Sequence, residues 1–187
     1  MDDEPDDFHF ERRARLRDGR TVTIRLMRPD DRPRLVEAFA KLDRQSVYTR
    51  FFSFRNQLPQ ESLDRIDRID LVHLAALVVT LGTGADEIVI GSASYVADAA
   101  DDAAREAEVA FTVEEDFQGQ GLAGRLLEAL ADIARRHGID RFRAEVLAGN
   151  APMLAVFKRS GLPLYQRRHD DIVELTMALR HEPARAP

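Results

Sequence analysis

Three features of the sequence predict an α+β fold, a mixed and mostly antiparallel sheet flanked by helices. A turn signal, Asp18-Gly19, lies between two alternating runs and marks an opening β-hairpin. Two runs rich in Val, Ile and Ala, 73–81 and 87–97, are separated only by a short loop with Gly82, Gly84 and Asp86, and read as adjacent antiparallel strands. In the second half, strand-like segments alternate with two segments of helical period, 122–137 and 150–160.

Taken in order, the hairpin occupies about residues 13–27. Asp30 or Asp31 then offers an N-cap ahead of Leu35, Val36, Phe39 and Leu42, an apolar stripe at helical spacing. A short helix is expected around SVYTRFF, broken before Pro59, and another from Pro59 to about Asp70 with Leu63, Ile66 and Ile69 on one face. Residues 98–105 are polar and Ala-rich, a surface connection into a strand over 106–113. The long helix 122–137 turns Leu126, Leu127, Leu130, Ile133 and Ala134 inward and stops at His137-Gly138. A strand at 142–147, a helix ended by Gly161, and a closing hairpin from 164–167 and 172–177 complete the order.

Composition narrows the function classes. The 187 residues suit one globular domain, expected over 11–180 between a disordered acidic head, 1–10, and a short tail, 181–187. With no cysteine there is no disulfide, thiolate metal site or cysteine nucleophile, and a reducing cytoplasm is the default setting. The longest strongly apolar run, 74–79, is far below the roughly 20 residues of a membrane-spanning helix. A net charge of −6 argues against nucleic acid as a partner and favours cationic substrates such as amines.

The segment VEEDFQGQGLAGRLLEAL joins a strand to a helix, and Gln118, Gly119, Gln120, Gly121, Leu122, Ala123 and Gly124 fall where that helix begins. The first turn of a helix has unpaired N–H groups and the positive end of the dipole, so a glycine-rich entry makes a pyrophosphate cradle. Arg125, one turn in, is placed to add a charge-assisted contact to a phosphate. A tight strand-to-helix turn with no ligand is the competing reading. The spacing GxGxxG is formally present at Gly119, Gly121 and Gly124, but a dinucleotide site wants it after the first strand of a parallel βαβ unit, and here several antiparallel-looking strands come first.

QGQGLA resembles the QxxGxA motif of the GNAT superfamily of N-acetyltransferases. EVAFTV before it, the helix GRLLEALADIARRHGI after it, RxPxD-like text at 24–31 and GNAPMLAVFKRSGL extend the resemblance over 22–177. SVYTRFF together with AEVAFTV is similar to the acetyltransferase domain of bacterial protein lysine acetyltransferases. The resemblance implies acetyl-CoA as cosubstrate and a V-shaped opening between the family's fourth and fifth strands, here 106–113 and 142–147. It implies pantetheine pairing like an added strand with backbone near Phe111 and Val113, the Val113 amide polarising the thioester carbonyl, and further cofactor contacts from Asn150 and the position of Phe157. The acceptor it implies is a primary amine, in the narrower branch a protein lysine. Larger relatives fuse this domain to regulatory or synthetase-like domains; with none in the present sequence, any control is expected either to come from a partner or to be lacking.

An amine with a pKa near 10.4 is neutral in only about one molecule in 2,500 at pH 7, a penalty of roughly 4.6 kcal/mol, so a general base is needed. The resemblance puts Glu108 in that role, aided by partial burial. The competing reading makes Glu108 a surface residue paired with Arg105 or Arg143. Glu114, Glu115 and Asp116 are further carboxylates, but they precede the helix and read as charges that cap it. Many relatives carry a tyrosine acid where this chain has Phe157, so the thiolate is expected to leave unassisted or to take its proton from water. Asn150 is also a natural N-cap. His73, His137 and His169 are isolated and suggest no metal. Tyr48, Phe51, Phe52 and Phe54 read as core and acceptor-groove lining, with Arg50 among them placed either for an acidic partner or for a structural salt bridge. Two other functions compete with protein acetylation: acetylation of a small amine, and acyl-CoA binding without turnover.

Overall fold

A computed structural model of the chain describes residues 7–53, 55–97 and 105–180. The Asp18-Gly19 signal closes a hairpin of β1 (Glu11–Arg15) and β2 (Thr21–Leu26), with Ala14 opposite Val22. β2 then pairs with β3 (Leu74–Leu81), and β3 with β4 (Ile88–Ala97). β3 is buried from Leu74 through Thr80, as a continuous apolar run must be when both faces of a sheet are covered.

Among the described residues, the sheet has eight strands in the order β1-β2-β3-β4-β5-β6-β8-β7, where β5 is Glu106–Val113, β6 Arg141–Leu147, β7 Leu164–His169 and β8 Ile172–Ala178. Every neighbouring pair is antiparallel except β5 and β6. A parallel pair needs a crossover, and α4 (Leu122–Arg136) supplies it. The apolar stripe of α4, including Leu126, Leu130 and Ile133, is fully buried in one core with Tyr95, Val109 and Phe142. α5 (Ala151–Arg159) joins that core through Phe157. On the opposite face, α1 (Arg32–Lys41) packs on β4 and α2 (Arg44–Phe51) on β5, followed by α3 (Gln60–Asp64).

Several expected details differ. Asp31 stands at the N-cap position of α1, yet its carboxylate does not cap the helix. It accepts from both terminal nitrogens of Arg25, at 2.8 and 2.7 Å, and from the Arg28 N–H at 2.8 Å. Arg25 and Asp31 are 5% and 1% exposed, so the ion pair outranks the cap because neither charge is tolerable there unpaired. α3 ends at Asp64 rather than near Asp70, and its last turn tightens into a 3-10 turn, Arg65–Arg68. The head expected to be disordered through residue 10 is folded from Asp7. That side chain is buried and receives two 2.7 Å hydrogen bonds from Arg136 at the C-terminal end of α4, where cations favour the helix dipole. The rest of the acidic head (1–6), Phe54, the connection 98–104 and the tail 181–187 lie outside the described residues.

Candidate active site

β5 keeps its antiparallel register with β4 along its whole length, from Ala97↔Ala107 to Gly91↔Val113. Its register with β6 covers only Glu106↔Arg141, Ala107↔Phe142 and Glu108↔Arg143. β6 meanwhile stays paired with β8 as far as Leu147↔Ile172. From Val109 to Val113 the outer edge of β5 therefore faces a V-shaped opening, which in chain order lies between the fifth and sixth strands. The Glu114 N–H donates to the Ile90 carbonyl at 3.0 Å, and this bond fixes the alternation of the ladder. Backbone groups of Thr112 and Ala110 point to β4, whereas the Val109 carbonyl and the backbone groups of Phe111 and Val113 point to the other side, into the opening. The Val113 carbonyl accepts from the Gln118 side-chain amide at 3.1 Å, which ties the loop to the strand end.

The glycine loop closes the wide end of the V. A 3-10 turn, Glu115–Phe117, is anchored by the buried Phe117 ring, over which the Arg20 guanidinium sits at 4.4 Å. Gly119 and Gly121 follow with φ of +71° and +86°, a left-handed backbone that strains any other residue. A Cβ added at Gly119, Gly121 or Gly124 meets nothing within 4 Å, so the space over the loop is open. No side chain caps α4. The first bond of its ladder runs from the Arg125 N–H to the Gly121 carbonyl, which leaves the N–H groups of Leu122, Ala123 and Gly124 without a helical partner. Open space, free donors and the positive end of a 15-residue helix fit a pyrophosphate.

The individual side chains sort themselves. Leu122 is 1% exposed and contributes only backbone to the cradle. Gln120 Oε1 accepts from the Arg17 N–H at 3.1 Å, and Arg125 Nη2 donates to the Arg15 carbonyl at 3.2 Å. Both residues thus brace the loop against the first hairpin, and the phosphate contact expected of Arg125 is not prepared by that nitrogen. Asn150 caps α5, its Oδ1 accepting from the Met153 N–H at 3.2 Å. Phe157 is 1% exposed and meets Phe111 edge-on at 5.8 Å, so it supports the floor of the opening from within the core.

Glu108 sits at the last register pair before β5 and β6 part. Partial burial was expected of it, but it is exposed, as is its cross-strand neighbour Val96. Arg143, one of its expected ion-pair partners, turns instead to Glu106, at 3.7 Å, with Arg141 at 2.9 Å from the same carboxylate. Among the other carboxylates, Glu115 Oε1 accepts from the Asp43 N–H at 3.3 Å, so the acidic run braces α2 rather than capping α4. Glu114 is half-buried, and burial, then Asp116 and Glu115, hold its carboxyl above its ordinary value against the pull of Lys41.

On the face of β5 that carries Glu108, Ala110 and Thr112, a cleft of about 90 Å³ opens beneath α2 and α3. Ser92, Ser94, Ala110 and Thr112 of the sheet line it, together with Arg50 and Phe51 of α2, Leu58, and Ser62, Arg65 and Ile66 from α3 and the turn after it. Phe51 lines the groove as expected, whereas Phe52 is exposed and closes α2 in a left-handed conformation. Sequence reasoning passed over the serines and Arg65. Ser92 and Ser94 alternate with buried Gly91, Ala93 and Tyr95, a polar face within an otherwise buried strand that was the available signal. Among the described residues no cluster of metal-ligating side chains occurs, and no helix is long and apolar enough to cross a membrane.

A parallel seam that opens to expose strand backbone, continued by a glycine loop at a helix N-terminus, is the architecture of a CoA-dependent acyltransferase. The family described as Acetyltransferase (GNAT) domain matches residues 21–163, and the chain belongs to it. It is 33% identical over 149 residues to the acetyltransferase Pat of Mycolicibacterium smegmatis, covering 79% of this chain and 43% of Pat. It is 32% identical over 141 residues to the acetyltransferase PA5475 of Pseudomonas aeruginosa, covering 74% of this chain and 73% of that protein. Thus the chain spans less than half the length of one of these relatives and about three quarters of the other. The crystal structure of the GNAT domain of S. lividans PAT superposes with a TM-score of 0.79 at 36% identity, over 90% of this chain and 96% of that one. Salmonella typhimurium yncA, solved with its cofactor acetyl-CoA, shares the fold with a TM-score of 0.69 at 23% identity, over 87% of this chain and 96% of that one. The chain thus carries a GNAT acetyltransferase domain, the class of enzyme for which acetyl-CoA is the cosubstrate.

Proposed function

We propose that this domain, about residues 11–180 together with the turn at Asp7–His9, acetylates the side-chain amine of a protein lysine, with Glu108 as the general base. The observation that carries the reading is the position of Glu108, at the vertex of the V and on the face of β5 that the acceptor cleft shares. The similarity to Pat and to the S. lividans PAT domain supports a protein acceptor. A cytoplasmic setting completes the reading, which the cysteine-free sequence permits.

Bound acetyl-CoA supplies an activated thioester. In the proposed mode the free N–H groups at the start of α4 and the glycine loop hold its diphosphate, and the Val109–Val113 edge aligns its pantetheine arm as an added strand. The Val113 N–H, which faces the opening, donates to the thioester carbonyl and stabilises the charge that develops there. Glu108 takes one proton from the ammonium so that a neutral amine attacks; as the C–N bond forms, the C–S bond breaks, the amide nitrogen releases its second proton to water, and the thiolate takes up a proton from water in turn. No tyrosine stands at the Phe157 position, and a thiol pKa near 8.5 makes the thiolate an adequate leaving group without one.

The test is thiol release from acetyl-CoA in the presence of lysine-bearing proteins and peptides or of small amines, with the modified residue read by mass spectrometry. Acetyl-lysine formed at a rate well above hydrolysis supports the reading. Turnover confined to small amines reassigns the acceptor.

A further inference from the structure

The acceptor cleft has a charge that the transfer reaction does not call for. Arg50, on the last turn of α2, and Arg65, just after α3, are both half-buried and line it. Arg65 has a carboxylate partner, Glu61, at 2.6 Å. Among the described residues no carboxylate lies within ion-pair distance of Arg50, whose guanidinium lies 4.9 Å from the ring of its own neighbour Phe51. Burial, together with the like charge of Arg65, lowers the proton affinity of the Arg50 guanidinium, and Glu108 compensates only in part. The same cleft is lined by the half-buried Ser92, Ser94 and Thr112, which add hydroxyls to it.

A half-buried guanidinium that lacks a carboxylate is a costly arrangement unless a ligand completes it, and a planar fork of donors with hydroxyls in the same cleft matches a carboxylate. At one edge of the same face stands Glu108, which suits the cationic end of the acceptor. We infer that the cleft binds an acceptor carrying a carboxylate next to its amine, with Arg50 as the anion-recognising residue and Arg65 and the serines in support. The inference rests on the assignment of this cleft to the acceptor. Two sources share the chemistry: an acidic residue beside the target lysine of a protein, and the α-carboxylate of a free amino acid.

Two pairs of acceptors test it: a lysine peptide with Glu beside the lysine against the same peptide with Gln, and L-lysine against L-lysine amide. With the parent protein, the carboxylate-bearing member of one pair is expected to show kcat/KM about tenfold higher, the order of effect of a charge-assisted hydrogen bond. The responding pair identifies the source. Arg50→Gln should bring that ratio to about one through KM while the Kd for acetyl-CoA stays unchanged, and Arg50→Lys should restore part of it; Arg65→Gln provides a second, more exposed variant. Turnover with a ratio near one in both pairs overturns the inference and leaves acetyl transfer standing. If none of the four acceptors releases thiol although acetyl-CoA binds, the acceptor assignment fails, and calorimetric binding of the four to the CoA-bound protein decides the anion site alone. A tenfold preference lost in Arg50→Gln supports it, and equal binding overturns it.

Discussion

Glu108 and Arg143 form the last register pair between β5 and β6, and past that pair the two strands share no further register while each remains bound to its other neighbour. The base proposed for the reaction therefore stands at the point where strand pairing gives way to a space another extended molecule can fill. Glu108 is exposed there, with Arg143 directed at Glu106, so its carboxylate is not committed to that ion pair.

Glu108→Gln should lower turnover by about 10² to 10⁴, the usual yield of general-base catalysis, with little change in acetyl-CoA affinity. Because raising the pH supplies neutral amine directly, the deficit should shrink from pH 7 toward pH 10. A parent-to-variant ratio that stays flat across that range, in folded protein, would assign Glu108 a positioning role.

Gly121→Glu should abolish acetyl-CoA binding by calorimetry, since a negatively charged side chain would occupy the open space over the free N–H groups of α4. The positive φ of Gly121 makes that variant strained as well, so Gly124→Glu is the cleaner companion: it sits in the helix and its added Cβ meets nothing within 4 Å. Gly124→Ala should stabilise the fold by about 0.5–1 kcal/mol and Gly121→Ala should destabilise it by about 1 kcal/mol, both read from denaturant midpoints. Unchanged affinity in folded Gly124→Glu would move the diphosphate site elsewhere.

Asp31→Ala should cost about 3 kcal/mol at pH 7, because it leaves the buried Arg25 with only its longer, 3.3 Å contact to Glu87. Burial alone pushes the Asp31 carboxyl up, but the hydrogen bonds from Arg25 and Arg28 more than reverse it and hold the group below its ordinary value. A depressed folded-state pKa gives stability that is present above the unfolded value, near 3.9, and is lost as pH falls through the folded one. Urea midpoints of parent and variant should thus converge on acidification and stay apart from pH 5 to 8.

Glu114→Gln should act in the opposite sense. Burial first, then the like charges of Asp116 and Glu115, raise the Glu114 pKa, so the folded state holds that proton more tightly than the unfolded chain. The group's unfavourable contribution appears as pH rises through the unfolded value, near 4.3, and is complete above the raised one. The variant should therefore melt higher than the parent at pH 7, by about 2 °C given the partial exposure, with no gain below pH 4. Scanning calorimetry at the two pH values checks it.

Strand and helix identity was legible because each rests on local patterns. The Asp18-Gly19 turn, the 3.6-residue stripe of α4 and the apolar run of β3 hold wherever the chain goes. The errors fell where a side chain outside the element's own local pattern claims the carboxylate. Asp31 is a sound N-cap by its local text, and only the arrival of Arg25, on a neighbouring strand, gives its carboxylate a stronger partner. Asp7 lies in a run of acidic residues that reads as solvated, and only the end of α4, more than a hundred residues later, offers Arg136 and His137 to bury it.

For the site, the sequence by itself determined the glycine loop, the helix behind it and the strand before it, since Gly119, Gly121 and the stripe of α4 dictate their own backbone and N–H groups. Only the tertiary structure decided where β6 leaves β5, and with it which backbone groups stay free, because strand pairing depends on what β8 holds on the far side of β6. Only the fold, likewise, set Arg50, Arg65 and the two β4 serines around one cleft. The two arginines and the serine pair lie on three separate parts of the chain, and no periodicity links one to another; shared packing against one face of β4 and β5 brings them together.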